Sequence, residues 1–207
     1  MTVSEAVALR RATPSFQSGI AIEEFELIAL IDKANLAPSG SNLQPWEFLL
    51  CHSVADKSRL QKVSYNQKKI GEASAVLVVL GTLNLGHNAV RIGRGNVALG
   101  LYDAEKAASF AESSACSYEG RPEAARDEVF RCGGIWAMTF MILAKEAGWD
   151  TAPMGGFEPQ KVAEEFQLPT DRIPILVIAI GKLNPEVALY RRAFRIAAQD
   201  LVHVGNY

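Results

Sequence analysis

A chain of 207 residues with 49% hydrophobic and 21% charged side chains has the length and composition to fill the core of one domain, which excludes a mainly disordered state. Its formal net charge of −2 offers no basic field for nucleic acid and no polybasic anchor for an anionic membrane, so a small-molecule partner is expected. The opening Met1-Thr2-Val3-Ser4-Glu5 lacks the basic start and apolar run of a secretion signal, and no apolar stretch reaches the roughly 20 residues of a membrane helix; a cytoplasmic location is the expectation.

Thr2 and Glu5 carry the capping-box pattern, in which a hydroxyl and a carboxylate three residues apart satisfy free amides, and predict a helix to about Arg11, with Pro14 breaking it. From Glu23 the apolar set Phe25, Ile28, Ile31 and Ala34 recurs at helical spacing through Leu36, and Pro38 stops the continuation. A polar turn leads from there to Trp46. Phe48-Leu49-Leu50-Cys51 reads as a buried strand, followed by a capped helix from about Ser53 to Val63 and another short helix after Asn66. Two branched, apolar runs, Ala75 to Leu80 and Ile173 to Ile180 interrupted by Pro174, read as central strands. Between them, Asp103 to Arg131 is charged and alanine-rich, with Pro122 suited to a first helical turn, and predicts solvent-facing helices. Gly133 to Gly148 is apolar nearly all round, as suits a helix buried on every side, one of which a subunit interface can supply. Without repeats or long linkers, helices interleaved with a few strands give an α+β sandwich.

Cys51, Cys116 and Cys132 are widely spaced and lack a Cys-x-x-Cys pair, so they read as reduced packing residues, and no metal is expected. His52, His87 and His203 also lack ligand spacing and read as surface residues. Neither a phosphate loop nor a Gly-x-Gly-x-x-Gly fingerprint is present, Gly93-Arg94-Gly95 having the wrong continuation. No nucleophile-base set or carboxylate pair stands out either. Such a chain borrows its reactive group from a cofactor.

Several polar clusters admit two readings. Arg10 and Arg11 end the first predicted helix, where cations also complement the helix dipole. Ser39, Gly40, Ser41 and Asn42 all suit a tight turn. Asn66 and Lys69, three residues apart, share a helical face or belong to a solvated basic turn. Gly155 and Gly156 suit a chain reversal, and Arg191, Arg192 and Arg195 a solvated helix start.

Taken together, Arg10-Arg11-Ala12-Thr13, the segment from Pro38 to Trp46, Tyr65-Asn66-Gln67-Lys68-Lys69 and Pro153-Met154-Gly155-Gly156-Phe157 resemble the nitroreductase family of flavin enzymes. The resemblance runs from Arg10 to about Val202 and is loose over 103–131. It implies a three-layer α+β sandwich with a central, mostly antiparallel sheet flanked by helices, a single domain with a helical lid or insertion around 103–131, and a homodimer whose flavin sites draw on both subunits. It further implies bound FMN, NAD(P)H as transient donor, and ping-pong hydride transfer through flavin N5 to nitroaromatics, quinones or similar planar acceptors. Catalysis then requires no protein side chain. A specialised flavin reductase or dehalogenase of the same fold, or a non-catalytic FMN-binding protein, are the alternatives.

The same resemblance assigns the flavin phosphate first to Arg10 and then to Arg11, with Arg195 and Arg192 returning to it near the end of the chain. It sets Pro38, Ser39, Gly40 and Asn42 near the ring, and Asn66 and Lys69 at its pyrimidine edge, where Lys69 stabilises the negative charge of the reduced ring. Pro153, Met154, Gly155 and Gly156 bring backbone amides towards N5 and O4. Ala12 stands where many members carry Ser and Pro14 where many carry a basic residue, so Thr13 is expected to offer its hydroxyl instead. Gly155 stands where some members have an acid.

Overall fold

The computed structural model describes residues 1–189 and 191–205. The capping box forms at the N-terminus: Glu5 N donates to Thr2 Oγ1 at 3.2 Å and Thr2 N to Glu5 Oε2 at 2.7 Å, launching α1 (Val3–Leu9). In α2 (Glu24–Ala34) the buried residues are Leu27, Leu30 and Ala34; of the expected set Ala34 is buried and Ile31 packs against the core, but Phe25 is 73% and Ile28 48% exposed. The helix is apolar on two faces, and packing against the sheet and a later helix selects one of them.

After α2 come β1 (Trp46–Cys51), α3 (Val54–Lys62), α4 (Lys68–Glu72) and β2 (Ala75–Thr82). Then follow α5 (Leu85–Ala98), α6 (Ala104–Cys116), α7 (Pro122–Glu146), β3 (Asp150–Met154), α8 (Pro159–Glu165) and β4 (Arg172–Gly181). Ser53 caps α3 by accepting from Asp56 N at 3.0 Å. The strands form one antiparallel sheet in the order β1-β2-β4-β3, with the two apolar runs at its centre. Along β2, Ala75, Leu77 and Val79 face α2 and α7, whereas Val76, Val78 and Leu80 face the layer of α3, α4 and α8. This alternation makes the fold a three-layer α+β sandwich.

Pro174 is tolerated in β4 because β3 stops at Met154, opposite Val177, leaving the first part of β4 with one unpaired flank. Pairing with β2 also shifts there, from Val79 opposite Leu176 to Leu80 opposite Pro174, so Ile175 is an extra residue. Ile175 packs against Gly133 of α7, where an added Cβ would lie 2.0 Å from its Cδ1. Helix α7 therefore runs straight through Gly133 and Gly134, joining into one 25-residue helix what the sequence divides near residue 131. Close approach to the sheet outweighs the roughly 1 kcal/mol that glycine costs a helix.

Helix α5 has no counterpart among the expected elements, since Gly86, Gly93 and Gly95 lower its propensity. Gly93 lets α6 come close: a Cβ there would be 3.2 Å from Ala107 O. Strand β3 was also hidden, its residues reading only as a turn. His52 is half-buried, with Nε2 2.9 Å from Ile22 O, rather than a plain surface residue. Among the described residues no helix is long and apolar enough to cross a membrane, and no group of His, Cys, Asp or Glu could hold a metal ion.

Polar satisfaction of the core converges on Asn35, whose Oδ1 accepts from Trp136 Nε1 at 2.9 Å and from Trp46 Nε1 at 3.2 Å. Trp136 is fully buried and stacks on Phe140 with centroids 5.1 Å apart. Replacing Asn35 by Ala leaves two buried indole N–H groups without an acceptor. Urea denaturation of Asn35→Ala is expected to show a loss of about 3 kcal/mol; an unfolding midpoint equal to wild type would contradict this account.

Candidate functional site

Beyond α1 the chain runs beside β3: Ala12 bridges Thr151, and Thr13 N donates to Thr151 O at 3.0 Å. This places Arg10, Arg11, Ala12 and Pro14 next to Pro153. The C-terminal segment returns with Arg191, Arg192 and Arg195 to complete a cleft of about 330 Å³. Arg192 Nη2 donates to Ala8 O and, at 3.2 Å, to Arg10 O, fastening that segment to the end of α1. Arg195 Nη1 donates to Ala193 O at 3.1 Å and Phe194 O at 2.9 Å.

The electrostatics of the cleft are one-sided. Burial, and then the charges of Arg192 and Arg195, lower the pKa of Arg10 from its ordinary value. Arg10 Nε is buried without a hydrogen-bond partner. Among the described residues no carboxylate forms an ion pair with Arg10, Arg192 or Arg195. A cleft that gathers several guanidinium groups, with no carboxylate among its described lining residues, suits a multiply charged anion such as a phosphate. The tail of FMN fits on these grounds.

Thr13 does not join it. The extended segment alternates, so Ala12 and Pro14 line the cleft while Thr13, 3% exposed, turns into the interior. The hydroxyl expected to replace the missing Ser contact is therefore directed away.

At the far end of β3 the chain emerges as Gly155-Gly156, and Gln67 Nε2 donates to Gly156 O at 2.6 Å, which draws the segment carrying Asn66 and Lys69 to the glycine turn. Tyr65 and Asn66 adopt φ of 51° and 52°, a left-handed pair that is rare outside glycine. Asn66 is exposed and Lys69 is half-buried in the first turn of α4. Neither Gly155 nor Gly156 has a left-handed φ, contrary to the expectation for paired glycines. A Cβ at Gly155 would meet nothing within 4 Å, so its lack of a side chain leaves a space that this chain does not fill. Met154 is buried in the core and offers that space only its backbone.

Pro38, Ser39, Gly40 and Asn42 lie elsewhere. Their loop enters β1 on one outer edge of the sheet, whereas Pro153 to Gly156 leave β3 on the other, and intervening strands hold the two edges roughly 14 Å apart. Ser41, Asn42 and Gln44 have φ of 49°, 55° and 46°. Ser39 Oγ accepts from Gln44 N at 2.9 Å, and Asn88 Nδ2 donates to Leu43 O at 3.0 Å and Gln44 O at 2.9 Å. Gly40 N donates to Glu128 Oε1 at 3.2 Å, so its amide is engaged within the chain. Asn42 and Gln44 border a second cleft of about 670 Å³, together with Trp46, Asn88 and Arg91.

One chain thus gathers Arg10, Arg11, Arg192, Arg195 and Pro153 at one cleft and, through Gln67, ties the segment of Asn66 and Lys69 to Gly155-Gly156, while the Pro38–Asn42 loop lies at the other edge of the sheet. Sequence reasoning overlooked Gln67, Asn88 and Glu128. Only Glu128 left a signal, as an acid in register with the apolar Ala125, Val129 and Cys132. Cys51 and Cys132 behave as packing groups: burial pushes the Cys51 thiol up to about 12, and burial followed by the bond to Glu128 pushes Cys132 up to about 11. Cys116 is exposed, contrary to its reading as a packing residue.

Inorganic phosphate should raise the melting temperature of the apo-protein by about 2–4 °C, the shift that about 1 kcal/mol gives in a chain of this size. Arg10→Met should abolish that rise yet melt higher without phosphate, because it removes a buried, repelled charge. A phosphate-independent wild type would remove the cleft as an anion site.

Residues 7–182 match the model of the Nitroreductase family. The chain is 33% identical over 178 residues to YodC of Bacillus subtilis (strain 168), provisionally named an NAD(P)H nitroreductase, covering 86% of this chain and 88% of that protein. Among solved structures, a provisionally identified nitroreductase from Exiguobacterium sibiricum 255-15 in complex with FMN superposes with a TM-score of 0.90 at 29% identity, covering 98% of this chain and 97% of the other. A provisionally identified NAD(P)H:FMN oxidoreductase from Staphylococcus epidermidis ATCC 12228 gives a TM-score of 0.90 at 27% identity, covering 98% and 95%. With the family model spanning most of its length, the chain belongs to the nitroreductase family.

Proposed function

We propose that this enzyme binds FMN and uses NAD(P)H to reduce planar acceptors such as nitroaromatics or quinones. The observation carrying the reading is the cleft beside Pro153 that gathers Arg10, Arg11, Arg191, Arg192 and Arg195, with no carboxylate among its described lining residues. When bound, FMN would supply a ring able to accept hydride from NAD(P)H at N5 in one half of each turnover and give it to a second acceptor in the other half.

The chain's own residues bind, orient and polarise. Arg10 and Arg11, with Arg195 and the braced Arg192, hold the phosphate end, where planar guanidinium groups give directional bonds. Lys69 places a cation beside the ring edge that becomes negative on reduction, and Asn66 offers an amide next to it. Pro153, Met154, Gly155 and Gly156 present main-chain groups along the ring, with no Cβ on the glycines to limit approach. Solvent supplies protons, so no catalytic side chain is assigned. Residues 103–131, which form α6 and the first turns of α7, act as the helical lid over the acceptor.

The functional unit in this proposal is a homodimer. It is supported by the unpaired apolar stripe on α2 and by the separation of the Pro38–Asn42 loop, which a second copy brings to the ring. Sedimentation of Ile28→Glu should report a monomer with FMN affinity weakened about tenfold or more, whereas an intact dimer would take α2 out of the interface.

Anaerobic addition of NADH or NADPH to the FMN-loaded protein should bleach its yellow colour, and an acceptor should restore it. A folded protein that stays colourless after FMN is added refutes the reading. Lys69→Met should lower the flavin reduction potential by about 30 mV, equivalent to about 1.4 kcal/mol for two electrons, as measured by equilibration with a reference dye. An unchanged potential would remove Lys69 from the mechanism.

A further inference from the structure

We propose that Glu128, on the inner face of α7, is the positioning residue of the Pro38–Gln44 loop and thereby of one wall of the flavin site; the inference rests on the reading of that loop as flavin-facing. Its neighbours Ala125, Val129 and Cys132 are buried and, at 8% exposure, so is Glu128 itself. A carboxylate in such a place is unfavourable unless its oxygens are used. They are used: Oε1 accepts from Gly40 N at 3.2 Å and from Cys132 Sγ at 3.0 Å, while Oε2 pairs with Arg131. The Arg131 side chain is largely exposed, so solvent screens that pair, and the directional work falls to Oε1.

Gly40 answers Glu128 in shape. An added Cβ would lie 2.3 Å from Oε1 and 3.1 Å from Cδ, so a side chain at residue 40 would push the Glu128 carboxylate away from its place on the loop. The loop also needs outside support, because Ser41, Asn42 and Gln44 all hold left-handed φ, a backbone that persists only where its surroundings over-determine it. Ser39 supports it from within and Asn88 from α5. Glu128 is the charged member of this set and grips the loop at Gly40, between Ser39 and Asn42. The Gly40 amide is thereby committed to the carboxylate, so Gly40 contributes close fit while Ser39 and Asn42 are aimed by it. Shortening or removing the carboxylate loosens this wall without touching the arginine cleft.

The test compares Glu128→Ala, Glu128→Asp and Glu128→Gln by FMN dissociation constant, by visible circular dichroism of the bound flavin and by apo melting temperature. Ala and Asp, which remove or withdraw the acceptor, should weaken FMN binding about tenfold, the loss that follows one charge-assisted hydrogen bond, and alter the flavin dichroism. Gln keeps an oxygen acceptor at the same reach and should rescue both. Gly40→Ala should weaken binding and melt lower than wild type, and adding Glu128→Ala to it should recover part of the melting temperature, since the clash disappears. Folded Ala and Asp variants with wild-type FMN affinity and dichroism would overturn the proposal, leaving Glu128 a purely structural residue. Additive melting shifts for Gly40→Ala and Glu128→Ala would equally overturn it. A wild type that binds no FMN overturns the proposed function itself, an outcome distinct from wild-type binding matched by the variants.

Discussion

The pairing of β2 with β4, buried on both faces by helices, is the constraint from which the rest of the molecule follows. Because Ala75, Leu77 and Val79 must face α2 and α7 while Val76, Val78 and Leu80 face α3, α4 and α8, the register admits no one-residue slip. With β2 and β4 committed to the centre, β1 and β3 become the edges. The two polar segments nearest those edges, the Pro38–Gln44 loop and the Pro153–Gly156 turn, are then separated by the width of the sheet. In the proposed dimer a second copy of the chain brings the two segments to one flavin site.

Inside the core Asn35 answers two indoles and Glu128 answers Gly40 and Cys132, while the hydroxyls of Ser64, Ser74, Thr82 and Thr151 are buried without a partner. The cleft beside β3 instead gathers Arg10, Arg192 and Arg195, leaving Arg10 with an orphaned Nε and a lowered pKa. In the proposed function the phosphate of FMN supplies the partner that Arg10 lacks. Left-handed Tyr65 and Asn66, and Ser41, Asn42 and Gln44 in the other loop, extend the same pattern to the backbone.

Elements whose reason is local were legible in the sequence. The Thr2–Glu5 capping box, the Ser53 cap and the branched runs of β2 and β4 each act within a few residues, and all appear where the pattern places them. Misreadings came where distant packing decided. Phe25 and Ile28 looked like the buried stripe of α2, but Leu27 and Leu30 met the sheet. Gly133 looked like a helix start, yet it let α7 pass over Ile175. Thr13 looked like a substitute ligand, but alternation along the extended segment beside β3 buries it.

By itself the sequence determined the α+β class and the two central strands, because periodicity and caps are properties of neighbours in the chain, and its motifs, through their resemblance to the nitroreductase family, pointed to the residues proposed to hold the flavin. Tertiary structure alone decided which of those residues meet. It set Arg10 beside Arg192, joined Gln67 to Gly156, and locked Gly40 against Glu128. These are contacts between segments up to 182 residues apart, and their geometry depends on strand order and helix approach, which no local pattern encodes.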